Sequence, residues 1–194
     1  MFALDHLVIA AETLDAGTAF AEARLGVPLA PGGQHHFMGT HNRLLALGPD
    51  TYLEVIAIDP SLPHPGRTRW FGLDRFTGDP RLVAWVLSTP DMRNVAQMPG
   101  TYHAPEDLAR GDLRWQMSVP ISAPLGDLAP PVLHWPGGKP QNRLPDAGVS
   151  MTSLSIRHPD TGQLPKIADP RVTLSAGTPG ISAHLTTPQG KVSL

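Results

Sequence analysis

The chain has 194 residues, of which 41% are hydrophobic and 16% are charged, and this composition is typical of a globular protein. Its net charge of -2 gives no sign of the basic surface that nucleic-acid binding requires, so we expect no nucleic-acid partner. The absence of cysteine excludes disulfides, thiolate nucleophiles and thiolate metal sites. Any metal ion must be held by His, Asp, Glu, backbone or water, which suits Zn, Mn, Ni, Fe or Mg.

Neither a membrane segment nor a secretory signal is indicated. Apolar runs such as Leu7 to Ala11 are far too short to span a bilayer. The sequence does not begin with a basic stretch followed by an apolar core, so we expect no signal peptide and a cytoplasmic location. Proline accounts for 22 of the 194 residues, and these prolines fall between apolar segments. They predict many short elements separated by turns, without long helices.

The first 60 residues are predicted to form a strand, a helix and three further strands. Thr13 can cap the helix, and Gly26 followed by Pro28 ends it near Leu25. Gly48-Pro49-Asp50 is a turn between two strands of a hairpin. The predicted strands cover residues 3–10, 34–38, 42–47 and 51–58.

The same pattern restarts after a connector rich in Pro and Gly. A strand over 81–88 precedes a short helix, capped by Thr89 or Asp91, and later strands cover 113–119, 131–135 and 149–157. Residues 99–112 and 120–148 are predicted to be long loops, which often form the rim of a functional site. Strands over 171–175, 181–186 and 191–194 complete the chain, and we expect the final hairpin to cover a sheet edge or to form a dimer contact.

These elements predict one compact α+β unit. Its parts are a first βαβββ module over residues 1–60, a connector over 61–80, a second and divergent βαβββ module over 81–160, and a C-terminal β extension over 161–194.

Two polar residues inside apolar strands mark a candidate site. His6 lies in the first strand and Glu54 in the fourth, and an ionised buried carboxylate costs several kcal/mol unless something pairs with it or binds it. Strand alternation places His6 on one face with Val8 and Ala10, and Glu54 on one face with Ile56. The alternatives are a core histidine bonded to a backbone carbonyl, and a glutamate that accepts from Arg43. Without a metal ion, a Glu54 whose pKa is raised by burial could act as a general base.

The order of these motifs resembles the vicinal oxygen chelate superfamily, which includes glyoxalase I, extradiol dioxygenases, fosfomycin resistance enzymes and bleomycin-binding proteins. The glyoxalase-like domain branch is the most similar. The pieces that carry the resemblance are Leu4-Asp5-His6-Leu7-Val8, Gly39-Thr40-His41-Asn42-Arg43-Leu44, Tyr52-Leu53-Glu54-Val55-Ile56, Pro65-Gly66-Arg67-Thr68-Arg69-Trp70-Phe71 and Thr187-Pro188-Gln189-Gly190. The resemblance implies two modules around a cleft, a divalent metal ion that polarises neighbouring oxygens of a substrate, and His6 and Glu54 as two of its ligands.

The second module departs from that pattern. Matching Asp59-Pro60 to His158-Pro159 places Ser153 where Glu54 stands in the first module, and the first strands place Ala84 or Trp85 opposite His6. None of these residues is an ordinary metal ligand. Further candidates for substrate contact are Asn42 at a strand start, Trp85 and Trp115 as an apolar wall, and Arg157 as a partner for a carboxylate or phosphate.

Two functions are consistent with the sequence, and a third possibility is a scaffold whose site has decayed and binds neither metal nor ligand. The first is a metal-assisted lyase or isomerase that acts on a small oxygenated metabolite, with His6 and Glu54 as metal ligands and Glu54 in a catalytic role. The second is a protein that binds and sequesters a small molecule without catalysis, since the second module lacks ligands and carries tryptophans. In either case the partner is a small molecule, and the chain could form a homodimer.

Overall fold

A computed structural model describes residues 1–194. The structure contains one α-helix, α1 Leu14–Leu25, five short 3₁₀ helices and fourteen strands. The strands are β1 Ala3–Ala10, β2 Ala30–His35, β3 Thr40–Ala46, β4 Tyr52–Ile58, β5 Arg81–Ser88, β6 Thr101–Tyr102, β7 Glu106–Arg110, β8 Leu113–Ser118, β9 Pro120–Ser122, β10 Val132–His134, β11 Ser150–Arg157, β12 Val172–Ser175, β13 Gly180–Thr187 and β14 Gly190–Ser193. The 3₁₀ helices are Trp70–Arg75, Met92–Gln97, Gly126–Leu128, Pro140–Arg143 and Thr161–Gln163.

Eight strands form one large sheet in the order β2-β3-β4-β1-β5-β10-β8-β7. In the first half β1 pairs in parallel with β4, and β4, β3 and β2 continue antiparallel. The second half repeats this arrangement, since β5 pairs in parallel with β10, followed by antiparallel β8 and β7. The halves join through the antiparallel pair β1 and β5. The predicted α+β class with two βαβββ modules around a curved mixed sheet is therefore confirmed.

The fourth strand of the second half differs from the sequence prediction. We expected residues 149–157 in this position, but β11 lies in a separate four-stranded sheet, ordered β12-β11-β13-β14. The position is taken by β10, which has only three residues and lies in a proline-rich stretch. Matching Ser153 to Glu54 was therefore wrong. The other module boundaries stay predictions.

The helix of each half begins where its cap was predicted. Thr13 accepts a hydrogen bond from the backbone N–H of Ala16, and Gly26 ends α1 in the left-handed conformation with φ 71°. In the second half Asp91 accepts from the N–H of Arg93, but the helix that follows is a 3₁₀ helix. None of the helices combines the length and apolar character needed to cross a bilayer.

Strand alternation sorts the apolar side chains onto the two faces of the large sheet. Leu7, Ile9, Leu53 and Val55 point outward into a core that they share with α1 and the four-stranded sheet. Val8, Ala10, Ile56, Val86 and Leu133 point inward to a second cluster on the concave face. This division places His6 and Glu54 on the concave side, beside Val8 and Ile56. The tail strands β13 and β14 pair with each other in the second sheet, and a dimer contact there stays a prediction.

Candidate functional site

A bulge in β1 brings two consecutive residues to one place. The pairing of β1 with β5 shifts register between Leu4 and His6, so that Leu4 pairs with Leu87 and His6 with Val86. Such a bulge re-aims a side chain that regular alternation would send to the opposite face. The Asp5 carboxylate oxygen Oδ1 consequently lies 2.9 Å from the His6 ring nitrogen Nδ1.

Asp5 is completely buried and is held on both sides. Its second oxygen, Oδ2, accepts a hydrogen bond of 3.1 Å from the Trp135 indole nitrogen and lies 3.2 Å from the Lys139 ammonium. Burial raises the pKa of Asp5, but the hydrogen bonds and charges of His6 and Lys139 outweigh it and leave the pKa below its ordinary value. Asp5 therefore stays ionised and orients the imidazole.

The other ring nitrogen of His6 faces Glu54. Nε2 lies 3.4 Å from the Glu54 oxygen Oε2, is buried, and has no hydrogen-bond partner. The ring stacks on Tyr52 with centroids 4.5 Å apart. Glu54 accepts from the Asn42 amide through Oε1, so the alternative in which it accepts from Arg43 is wrong. Arg43 instead pairs in register with Val55.

The pKa values of His6 and Glu54 move in opposite directions. Burial lowers the pKa of His6, but Asp5 and Glu54 outweigh it and raise the pKa to about 9. Burial raises the pKa of Glu54, but His6, His35 and Asn42 outweigh it and bring the pKa to about 2. The expected rise in the Glu54 pKa was therefore wrong, because sequence reasoning considered burial without these partners. At neutral pH the pair is an imidazolium beside a carboxylate.

Curvature of the sheet brings its two edge strands together at this site. Arg110 in β7 donates through Nη1 to Nε2 of His35 in β2 and to Oδ1 of Asn42 in β3, each at 3.0 Å. Because His35 Nε2 accepts from a guanidinium, its proton lies on Nδ1, which is 3.0 Å from the Thr40 hydroxyl. Burial lowers the pKa of His35 to about 4, so this ring is neutral.

Aromatic side chains form the remainder of the pocket. The Trp115 and Trp135 rings lie 5.4 Å apart at an angle of 37°, and Trp70 and Phe71 lie on the wall as well. The Trp70 indole nitrogen is buried without an acceptor. The lining residues are His6, His35, Asn42, Leu44, Tyr52, Glu54, Trp70, Phe71, Arg110, Trp115, Met117, Leu133, Trp135 and Pro140. The pocket has a polar end on the first half and an apolar wall drawn largely from the second half.

The structure brings together His6, Asn42, Glu54 and Trp115, four of the six candidates from the sequence. Their roles stay predictions. The prediction that Trp85 lines the pocket was wrong. Its side chain points to the outer core, where the indole N–H donates to the Leu128 carbonyl at 2.9 Å. Its neighbours Ala84 and Val86 face the concave side in its place. The prediction that Arg157 contacts the substrate was also wrong, because Arg157 is exposed on β11 in the other sheet.

Sequence reasoning missed three polar residues of the site. Asp5 was assigned no role, because its contact with His6 depends on the bulge. His35 was not among the candidates, although only 7% of it is exposed. Arg110 fell in a predicted loop, although the following Gly111-Asp112 forms the two-residue turn of a hairpin and is a recognised hairpin signal.

These residues do not fit a standard divalent metal site. No three or more His, Asp or Glu side chains converge on one point. Asp5 bonds the imidazole at Nδ1, the nitrogen that does not face Glu54. On the concave face of the second half stand Trp115, Met117 and Leu133, which supply no ligand for a hard divalent ion. His35 also lines the pocket, but Arg110 and Thr40 contact its two ring nitrogens. His6 and Glu54 therefore remain, two ligands where such sites usually have three or more.

Comparison with known proteins gave a family and several similar folds. A family model described as a glyoxalase-like domain matches residues 4–169. A hypothetical protein from Staphylococcus aureus is similar over 100% of this chain and 84% of its own, with 13% identity and a TM-score of 0.59, which shows the fold alone. A comparison with curated proteins found no match.

Two methylmalonyl-CoA epimerases are also similar in structure. The Mycobacterium tuberculosis enzyme is 20% identical over 68% of this chain and 85% of its own, with a TM-score of 0.45. The Streptomyces coelicolor enzyme, in complex with 2-nitronate-propionyl-CoA, is 16% identical over 70% of this chain and 96% of its own, with a TM-score of 0.48. These two likenesses are too weak to bear on function.

Proposed function

This chain belongs to the glyoxalase-like domain family, and we propose that its pocket catalyses an isomerase or lyase reaction on a small oxygenated metabolite by paired acid and base chemistry. The observation that carries the proposal is the His6–Glu54 pair, a buried proton donor 3.4 Å from a buried proton acceptor at the polar end of a pocket. Both reaction types share one step, in which a proton leaves a carbon next to a carbonyl group.

The pair is suited to that step because the protonation state of each residue shifts the pKa of the other. The His6 imidazolium at Nε2 gives its proton to the carbonyl oxygen, while Glu54 takes the proton from the neighbouring carbon. The C–H bond breaks, an O–H bond forms, and the product is an enol. As His6 becomes neutral, the charge that held down the pKa of Glu54 disappears, and burial then favours the protonated acid. Return of the two protons, with the carbon proton placed differently, completes an isomerisation.

The surrounding residues hold the pair in place. Asp5 keeps the imidazole oriented from Nδ1, and the Asn42 amide fixes Glu54 through Oε1. Tyr52 covers one face of the imidazole ring and limits access of water. The proposal routes no step through a metal ion, because the ligand set does not fit one.

Exchange of carbon-bound hydrogen tests the proposal. Dicarbonyls, diols and thiol adducts are incubated with the protein in D₂O, and deuterium incorporation next to the carbonyl is followed by NMR. We expect exchange that is lost in Glu54→Gln and His6→Asn, retained in the matched surface variant Asp107→Asn, and unchanged by EDTA. Exchange that survives in Glu54→Gln, or that requires an added divalent ion, would overturn the proposed mechanism.

A binding protein without catalysis is the second candidate. It is favoured by the aromatic wall of Trp70, Trp115 and Trp135 and by the absence of metal ligands from the second half. It predicts saturable binding of a small molecule by calorimetry, with no deuterium exchange for any compound that binds. Exchange on a bound compound would exclude it.

A further inference from the structure

We propose that the ligand of this pocket is a small monoanionic carboxylate with a flat unsaturated body, and that Arg110 determines this specificity by binding the carboxylate. The inference names the substrate class of the site described above and so rests on the proposed function.

Arg110 is a cation without an anionic partner. The arginines of the chain that pair with Asp or Glu are Arg67, Arg69, Arg75, Arg93, Arg143 and Arg171. Arg110 bonds only neutral groups, the ring of His35 and the amide oxygen of Asn42, and both bonds use Nη1. Its Nε and Nη2 hydrogens therefore remain for a ligand, and that edge of a guanidinium suits the two oxygens of a carboxylate.

The polar end of the pocket offers two further donors that make no hydrogen bond, although Glu54 Oε2 lies 3.4 Å from the first of them. These are Nε2 of His6 and the indole nitrogen of Trp70, both buried and both on residues of the pocket wall. A buried polar group without a partner is unfavourable, so a ligand that accepts a hydrogen bond from it gains affinity. Because the unfilled positions on Arg110, His6 and Trp70 are all donors, the ligand must present acceptor oxygens.

The charges around the pocket indicate a single negative charge on the ligand. The Asp5 carboxylate is paired with Lys139, and the Glu54 carboxylate with His6. Arg110 is then the one cation left over in the lining. A carboxylate balances that charge, whereas a dianionic phosphate would bring a second negative charge close to Glu54.

Arg110 also lies where an anion can enter the pocket. Arg110, Leu44 and Pro140 line both the pocket and an adjoining groove beside β2. A ligand can therefore place its carboxylate on Arg110 at this junction and its flat body against the indoles of Trp115 and Trp135. The π faces of these rings favour a planar partner over a saturated chain of equal size.

Calorimetry with matched ligands tests the inference. The probes are cinnamate, its neutral isostere cinnamamide, and phenyl phosphate. We expect the protein to bind cinnamate at least tenfold more tightly than cinnamamide, and Arg110→Gln to lose this preference. The control Arg114→Gln, on the same hairpin but exposed, should keep it. Equal binding of acid and amide by the parent protein, a preference that persists in Arg110→Gln, or binding of phenyl phosphate alone would overturn the inference.

Two further variants keep the result interpretable. Arg110→Lys retains the charge but not the two-pronged geometry, so we expect a reduced preference for cinnamate; an undiminished preference would contradict the role of the guanidinium. This variant serves if Arg110→Gln fails to fold by circular dichroism. Deuterium exchange is lost in Glu54→Gln if the proposed reaction is right, whereas calorimetry of cinnamate needs no catalysis, which separates failure of this inference from failure of the proposed reaction.

Discussion

The imidazole Nδ1 of His6 lies 2.9 Å from the carboxylate Oδ1 of Asp5, although the two residues are neighbours in one strand. Regular alternation would send their side chains to opposite faces of the sheet. The bulge between Leu4 and His6 removes that separation and sets a buried carboxylate behind the imidazole. The proton on Nδ1 is thereby fixed, and Nε2 is the atom that faces the pocket.

We predict that Asp5→Asn lowers the pKa of His6 from about 9, since one of the two carboxylates that raise it is lost. Removal of one partner from a buried charged network also costs about 3–5 kcal/mol, so the free energy of unfolding at pH 7 should fall by an amount of that order. NMR titration of the imidazole and urea denaturation measure the two effects. The exposed Asp79→Asn should change neither, and an unaltered His6 pKa in Asp5→Asn would show that the contact has no electrostatic role.

Acid should destabilise the protein partly through His35. Burial lowers the pKa of His35 to about 4 from an ordinary value of 6.5, so the unfolded chain takes up this proton before the folded one. The stabilisation from neutral His35 is complete above pH 6.5 and is lost as the pH falls towards 4. Its slope in that window approaches about 1.4 kcal/mol per pH unit.

Urea denaturation at several pH values between 7 and 4 measures this slope. In His35→Gln, which keeps an acceptor for Arg110, the dependence should flatten across that window. The neighbouring His36 is exposed, and His36→Gln should leave the slope as it is. Identical slopes for the parent and for His35→Gln would mean that His35 is protonated as readily in the folded protein as in the unfolded one.

Periodicity in the strands was sufficient to predict part of the site. His6 and Glu54 were assigned to the faces of Val8 and Ile56, and both of these apolar residues do lie in the concave cluster. The signal was strong there because β1 and β4 are long and nearly continuous in apolar residues. The order of these motifs was also enough to identify the fold class.

Features that depend on distant parts of the chain could not be predicted in this way. Arg110 joins the site because the sheet curls until β7 approaches β2, a contact between residues 75 positions apart. β10 has three residues and therefore almost no periodic signal, so the longer β11 was assigned its place. The orientation of Trp85 followed from register, since Val86 and not Trp85 pairs with His6.

Substitution of two tryptophans should distinguish a core residue, Trp85, from a pocket residue, Trp115. Trp85→Phe leaves a cavity and an unpaired Leu128 carbonyl, so we expect a loss of about 2 kcal/mol in the free energy of unfolding with ligand binding unaffected. Trp115→Phe should instead weaken cinnamate binding severalfold at a smaller cost in stability. Urea denaturation and calorimetry on both variants measure this. Equal losses of binding in the two would indicate that Trp85 contributes to the pocket after all.

Position 32 requires glycine because its backbone lies in close contact with Asn42. A β-carbon at position 32 would overlap the backbone carbonyl and the side-chain oxygen of Asn42. The same Asn42 oxygen accepts from Gly33 N–H and from Arg110, and its amide holds Glu54. Displacement of Asn42 would therefore disturb the base and the proposed anion site together.

We accordingly predict that Gly32→Ala lowers the free energy of unfolding by about 1–3 kcal/mol and also weakens binding of cinnamate. Gly137→Ala is the matched control, since a β-carbon there meets no atom within 4 Å and the backbone does not have a positive φ. Its effect on stability should stay within about 1 kcal/mol. If Gly32→Ala lost stability but bound cinnamate as tightly as the control, Asn42 would be dispensable for positioning Arg110, and the guanidinium would have to be held by His35 alone.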